Sequence, residues 1–104
     1  MTNDQRFTLY ANVGRVFAQN PDGRVIELGK LAQDERGKYS FRLNGDGARG
    51  YGFASLDEAL ESLGLRITLP YMMEQFATAP DRSATRGLRT ALRIDVSLSQ
   101  SAPQ

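Results

Sequence analysis

Residues 88–98 read LRTALRIDVSL, and this stretch decides the fold class. Leucine or β-branched side chains stand at every second position from Leu88 to Leu98, with other residues between them. An alternation of period two is typical of a β-strand that has one face on the core and one in solvent. The β-branched pair Ile94 and Val96 favours the same interpretation. We therefore predict one long strand over 88–98.

The same region has a helical alternative. Four arginines are spaced by four, three and four residues, which would also suit one face of a helix, and they are Arg82, Arg86, Arg89 and Arg93. The unbroken alternation and Gly87, which would weaken a helix, favour the strand.

Further strands are predicted in the first half of the chain. Period-two alternation indicates strands over 7–13 and 38–43. Two more strands, 15–19 and 24–31, are predicted because they flank a hairpin turn, and 51–54 is a short further strand. Two sequences rich in turn-forming residues separate consecutive strands. They are Asn20-Pro21-Asp22-Gly23 and Asp34-Glu35-Arg36-Gly37. Short turns of this kind join antiparallel strands, so the segments form a meander.

Two helices are predicted after the meander. Ser55 followed by Glu58 forms a capping box at the start of a helix over 56–63, and Gly64 suits the left-handed position that closes it. Residues 65–69 alternate and predict a short strand ended by Pro70. A second short helix is predicted over 71–79.

These elements predict one α+β domain over residues 1–104. Its sheet is a strongly bent antiparallel meander of five to seven strands, with the 56–63 helix packed on one face. The tails 1–5 and 99–104 are expected to be disordered. We expect the helix leucines to pack on strand residues of the sheet: Leu56, Leu60 and Leu63 on Phe7, Leu9, Tyr39, Phe41, Leu92, Ile94 and Val96.

The composition excludes several kinds of chemistry. The chain has neither cysteine nor histidine, so disulfides, thiolate metal sites and a Ser-His-Asp triad are excluded. We expect no enzyme activity, no cofactor and no metal site. An enzyme or ligand carrier without histidine is a third hypothesis, and a deep pocket lined by polar groups would favour it.

A glycine-rich loop precedes the first helix. Gly45, Gly47 and Gly50 have the spacing of a dinucleotide-binding motif, but the motif needs a strand before it and a helix directly after it in a parallel unit. The surroundings look antiparallel, so a hairpin loop is the better interpretation. Arg49 in this loop is a candidate anion contact.

Two surfaces are candidate partner sites. One is basic and comprises Arg82, Arg86, Arg89, Arg93 and, if its strand lies nearby, Arg66. The other is a methionine and aromatic stripe formed by Tyr71, Met72, Met73 and Phe76. The simpler interpretations are a solvated strand face for the first and core packing for the second.

The first functional hypothesis is a binding module without catalytic activity, which docks on another protein as a regulator or inhibitor. The alternative is a nucleic-acid-binding protein that places the Arg82–Arg93 arginines on phosphates. Sheet aromatics that would stack bases are Tyr10, Tyr39, Phe41, Tyr51 and Phe53. A homodimer through the 88–98 strand, if that strand lies at a sheet edge, would suit all three hypotheses. With neither a membrane span nor a signal peptide in view, we expect no membrane contact and a cytoplasmic location.

Overall fold

The structure, a computed structural model, describes residues 4–12, 14–45 and 47–98. The strands form one antiparallel sheet in the order β5-β4-β3-β2-β1-β6, curled into a half-barrel. This confirms the predicted α+β class with a bent antiparallel sheet. In chain order the elements are β1 (Gln5–Asn12), β2 (Arg15–Gln19), β3 (Val25–Gln33), β4 (Tyr39–Leu43), β5 (Arg49–Phe53), α1 (Leu56–Arg66), α2 (Leu69–Thr78) and β6 (Leu92–Leu98).

The two predicted turns are present and share one hydrogen-bonding pattern. The Asn20 Oδ1 accepts the amides of Asp22 and Arg24 at 3.1 and 2.9 Å. Asp34 accepts the amides two and four residues later in the same way, both at 2.9 Å. Gly23 and its equivalent in the second turn both have positive φ, +88° and +80°, which glycine adopts without steric cost. These turns set the register of β2 with β3 and of β3 with β4.

The face of the sheet that meets the helices, called the inner face below, carries the main core. Leu60 and Leu63 of α1 and Met72 of α2 are fully buried against it. The opposite, outer face carries a smaller apolar cluster of Tyr10, Phe17 and Val25, covered by Leu88 and Ala91. The strand residues buried on the inner face are Phe7, Leu9, Ala11, Val16, Ala18, Ile26, Leu28, Leu31, Phe41 and Leu43.

The prediction of one strand over 88–98 is wrong in its first third, because β6 begins at Leu92. Leu92 lies opposite Ala11, and β1 ends one residue later at Asn12, so within the described residues β1 is too short to pair with the whole of 88–91. Leu88 instead packs on the outer-face cluster, whereas Leu92 packs on the inner core. The regular sequence pattern therefore spans a change of face.

The predicted strand over 65–69 is also wrong. α1 continues through Gly64 to Arg66, and α2 begins at Leu69. Gly64 lies within the helix and does not close it in a left-handed conformation. A Cβ on Gly64 would lie 2.8 Å from the Val96 Cγ1, so this glycine permits close packing of α1 on β6. Arg66 consequently lies on a helix, and the strand that would have placed it beside the Arg82–Arg93 arginines is absent.

Both helices begin with hydroxyl caps. The Ser55 Oγ accepts the amide of Glu58 at 3.2 Å, as predicted. Thr68 caps α2 through the amide of Tyr71, also at 3.2 Å, so α2 starts two residues earlier than predicted. The expected disordered tails lie outside the described residues at 1–3 and 99–104, and Gln5 begins β1.

Candidate functional site

A row of three basic side chains crosses the outer face of β3, β4 and β5. Lys30 lies opposite Arg42, and Arg42 lies opposite Arg49. All three side chains are exposed. Their chain neighbours Leu31 and Phe41 are buried in the inner core, and side chains alternate between the faces of a sheet. We call Lys30, Arg42 and Arg49 the basic row.

The basic row has no acidic partner among the described residues. The ion pair present among these residues lies outside the basic row and joins the Arg15 Nη1 to the Glu27 Oε1 at 2.8 Å. Arg15 lies opposite Lys30 on β2 and extends the row, but it is neutralised by this pair. Neighbouring strands are about 4.8 Å apart, and like charges directly opposite each other destabilise a sheet. An anion bound along the row would relieve that repulsion.

An exposed aromatic ring lies beside the basic row. Tyr51 follows Arg49 by two residues on β5 and is 70% exposed. It lines an open cavity of about 340 Å³ together with Ser40 and the three residues of the basic row. The site thus combines three cations with one aromatic face.

The loop between β4 and β5 is anchored to α2. The hydroxyl of Tyr71 donates to the carbonyl oxygen of Asn44 at 2.8 Å. Burial, together with the nearby charge of Glu74, raises the pKa of Tyr71 to about 12, so the phenol remains a donor. A Cβ on Gly47 would lie 2.7 Å from that hydroxyl. Close packing therefore explains Gly47. The loop is followed by β5, which pairs antiparallel with β4, and not by the helix that a dinucleotide-binding motif requires.

Arg66 lies next to the basic row without belonging to it. Its Nη1 donates to the carbonyl oxygen of Arg49 at 3.0 Å. Arg66 therefore occupies a backbone acceptor of β5 and holds the end of α1 against this strand.

The Arg82–Arg93 arginines lie on the outer side of the molecule, from Arg82 beside Arg15 and Glu27 of β2 and β3 to Arg93 on β6. The segment before β6 is fastened there by a hydrogen bond from the Asn12 Nδ2 to the Arg86 carbonyl, 2.9 Å. Arg93 on β6 lies opposite Tyr10 and so projects from the outer face. The exposed side chains of this group are Arg82, Arg86, Arg89 and Arg93.

Asp81 helps to hold this segment in place. Its carboxylate accepts the Ser83 hydroxyl at 2.9 Å and the amides of Ser83 and Val25 at 3.1 and 3.3 Å. The hydrogen bond from the Ser83 hydroxyl, followed by that from the Val25 amide, lowers the pKa of Asp81 below its ordinary value of 3.8.

The methionine and aromatic stripe lies on the inner side, away from the arginines. Met72 and Phe76 are buried in the core and Tyr71 is half-buried. Met73 alone is largely exposed, at 53%, and lines an open cavity of about 550 Å³ with Phe7 and Phe76. The structure therefore does not bring the two predicted surfaces together.

The two sides of the molecule differ in their balance of charge. The helices carry four acidic side chains and one basic side chain, Arg66. The basic row and the Arg82–Arg93 arginines lie on the opposite side, where basic side chains outnumber acidic ones such as Glu27 and Asp95. A net charge of only +1 conceals this asymmetry.

Sequence reasoning identified Arg49 and overlooked the other two members of the basic row. The sequence did contain a signal for Lys30 and Arg42. If Asp34 pairs with Lys38 across the turn, as it does in the structure, counting back along both strands sets Lys30 opposite Arg42. The alignment of Arg42 with Arg49 carried no such signal, since the β4–β5 pair contains a register shift.

The described residues contain neither a group of three or more potential metal ligands nor a helix long and apolar enough to cross a membrane. Comparisons with protein-family models, curated proteins and solved structures found no match.

Proposed function

We propose that this protein binds single-stranded nucleic acid on the outer face of β3–β5. The basic row contacts backbone phosphates and the ring of Tyr51 stacks on a base. The observation that carries the proposal is the register that sets Lys30, Arg42 and Arg49 side by side with no acidic partner among the described residues.

The form of the surface favours a single strand over a duplex. The major groove of duplex DNA admits a protruding helix or a two-stranded ribbon, whereas the basic row spans three strands of a sheet face. A charged track beside an exposed aromatic ring is the arrangement by which proteins bind single strands without sequence preference. We propose that the protein acts by binding alone, without a catalytic step. We also propose that it acts in the cytoplasm.

Fluorescence anisotropy with a labelled oligothymidylate tests the proposal. Three phosphate contacts on a single strand give a slope of about −2 in a plot of log K against log salt concentration. Arg42→Gln should weaken binding at low salt and reduce the magnitude of the slope by about 0.7, the share of one contact. Arg36→Gln removes the same charge at the exposed tip of a turn and should leave binding unchanged.

Three further variants locate the site. Tyr51→Ala should cost about 1–3 kcal/mol of binding free energy through lost stacking, whereas Tyr51→Phe should retain it. The double variant Arg86→Gln/Arg89→Gln should have little effect. Equal losses in this double variant and in Arg42→Gln would move the site to the other half of the sheet, and the absence of salt-dependent binding would refute the proposal.

A second candidate function is docking on another protein as a regulator or inhibitor. Met73 supports it, because a methionine 53% exposed that lines an open cavity with Phe7 and Phe76 resembles the adaptable contacts of protein interfaces. A photo-cross-linking residue at position 73 should capture a partner in cells that the same residue at the exposed position 61 of α1 does not. Identical products from both positions would argue against this function.

A further inference from the structure

The free edge of β6 is a feature that nucleic-acid binding leaves unused. β6 pairs with β1 without a register shift from Leu92 to Leu98. Among the described strands it has no neighbour on its other side. A regular strand with one unpaired edge is a template on which another strand can form.

The opposite edge of the sheet is protected. β5 contains a register shift against β4 and a glycine, Gly52, with φ of +76°. Arg66 also occupies the carbonyl oxygen of Arg49 on this strand. β6 contains no proline, no glycine and no bulge. Of the two edges, β6 is therefore the one suited to strand addition.

We propose that β6 pairs antiparallel with β6 of a second copy of this chain, about a two-fold axis at Ile94. The occupant is inferred from the charges along the strand. Arg93 and Asp95 project from the outer face on either side of Ile94. With the axis at Ile94, Arg93 of each copy lies opposite Asp95 of the other, which forms two pairs of opposite charge.

Other registers lose this complementarity. Residues that lie opposite each other must project from the same face, so the axis has to pass through a residue position. An axis at Arg93 sets arginine against arginine, and an axis at Asp95 sets aspartate against aspartate; both arrangements are destabilising. An axis at Val96 sets Asp95 against Ser97 and forms no charged pair within the described strand.

The same register also pairs the apolar residues of the inner face. Ile94 meets its own copy and Leu92 meets Val96, and all three are only half-buried in the single chain. Pairing would shield them further from water. The axis stands perpendicular to the sheet, so the outer faces of both copies lie on the same side of one twelve-stranded sheet, twice the six strands of one chain.

Disulfide trapping tests the register directly, because the chain contains no cysteine. In the Ile94→Cys variant the two thiols face each other across the axis, where opposed Cα atoms are about 4.5–5.5 Å apart, within reach of a disulfide. Ser97→Cys is the matched control on the same strand, since its two copies would lie about 20 Å apart along the strands. We expect rapid oxidation to a covalent dimer for the first variant only.

Sedimentation analysis of charge variants tests the same pairing without a cross-link. Arg93→Asp and Asp95→Arg should each shift the full chain toward monomer, and the double exchange Arg93→Asp/Asp95→Arg should restore the dimer. The double variant also lacks the hydrogen bond from Thr8 to Asp95, so its recovery would be due to the paired charges. The proposal would be overturned by a monomeric wild-type chain or by equal trapping of both cysteine variants. It would also be overturned by a dimer that these charge changes do not affect. The first result is expected if β6 pairs with a strand of another protein, and the last if the two copies meet at another surface.

Discussion

Arg42 lies between Lys30 and Arg49, directly opposite each of them on the neighbouring strands. The position is electrostatically unfavourable in the free protein, because like charges opposite each other repel across a sheet. The same position is favourable when a polyanion is bound. One side chain is thus expected to reduce the stability of the fold and to support binding.

Replacing Arg42 with glutamine should therefore increase the free energy of unfolding while it weakens binding. We expect a gain of about 0.2–1 kcal/mol at low salt. The gain should disappear near 1 M salt, where charges separated by more than about 3 Å are screened. Urea denaturation of Arg42→Gln and of the exposed-turn control Arg36→Gln measures the difference. A loss of stability in the first variant, or a gain that salt does not affect, would contradict this explanation.

Asp81 gives a prediction for acid conditions. Its pKa is lowered in the folded protein, chiefly by the Ser83 hydroxyl and then by the amide of Val25. The carboxylate therefore stabilises the attachment of the segment before β6 above pH 3.8, and this stabilisation is lost as the pH falls through the lower, folded pKa.

NMR signals from the amides of Val25 and Ser83 report on this attachment. Both should shift together during acidification, with a midpoint below 3.8. In Asp81→Asn the shared transition should be absent. A midpoint at or above 3.8 in the wild-type chain would show that these hydrogen bonds do not hold the carboxylate in its charged form.

At the scale of elements, the two turns and the Ser55 cap were predicted correctly, whereas the Gly64 helix end and two stretches of apolar alternation were misread. The turns at Asn20–Gly23 and Asp34–Gly37 act through local hydrogen bonds, so the sequence alone identified them. The strand predicted over 65–69 failed because Leu65 lies in the last turn of one helix and Leu69 begins the next. Their spacing imitates alternation, and nothing local shows that α1 continues past Gly64 by packing closely on β6.

The packing of α1 is tested by two identical substitutions on the same helix. Leu60 is fully buried against the sheet, whereas Leu65 is 88% exposed. Leu60→Ala should reduce the free energy of unfolding by about 2–5 kcal/mol, and Leu65→Ala should change it by less than about 0.5 kcal/mol. Similar effects of the two substitutions in urea denaturation would contradict the orientation of α1.

The whole molecule separates its charges in a way that no single segment of the sequence shows. Arg49 was a candidate anion contact from the sequence because it stands in a glycine-rich stretch predicted as a loop, and the structure places it at the start of β5. Lys30 and Arg42 become its neighbours only through the pairing of three strands. The four arginines that are close together in the chain, between 82 and 93, are outside the basic row and extend from β2–β3 at Arg82 to β6 at Arg93. Proximity in sequence therefore pointed to a different surface from the one that the fold assembles.

The central claim is that the outer face of β3–β5 binds nucleic acid. Titrating isotope-labelled protein with an unlabelled oligothymidylate, and recording amide chemical shifts, tests it most directly. We expect the largest changes at Lys30, Ser40, Arg42, Arg49 and Tyr51. Changes confined to the helices or to residues 82–93, or no changes at low salt, would contradict the claim.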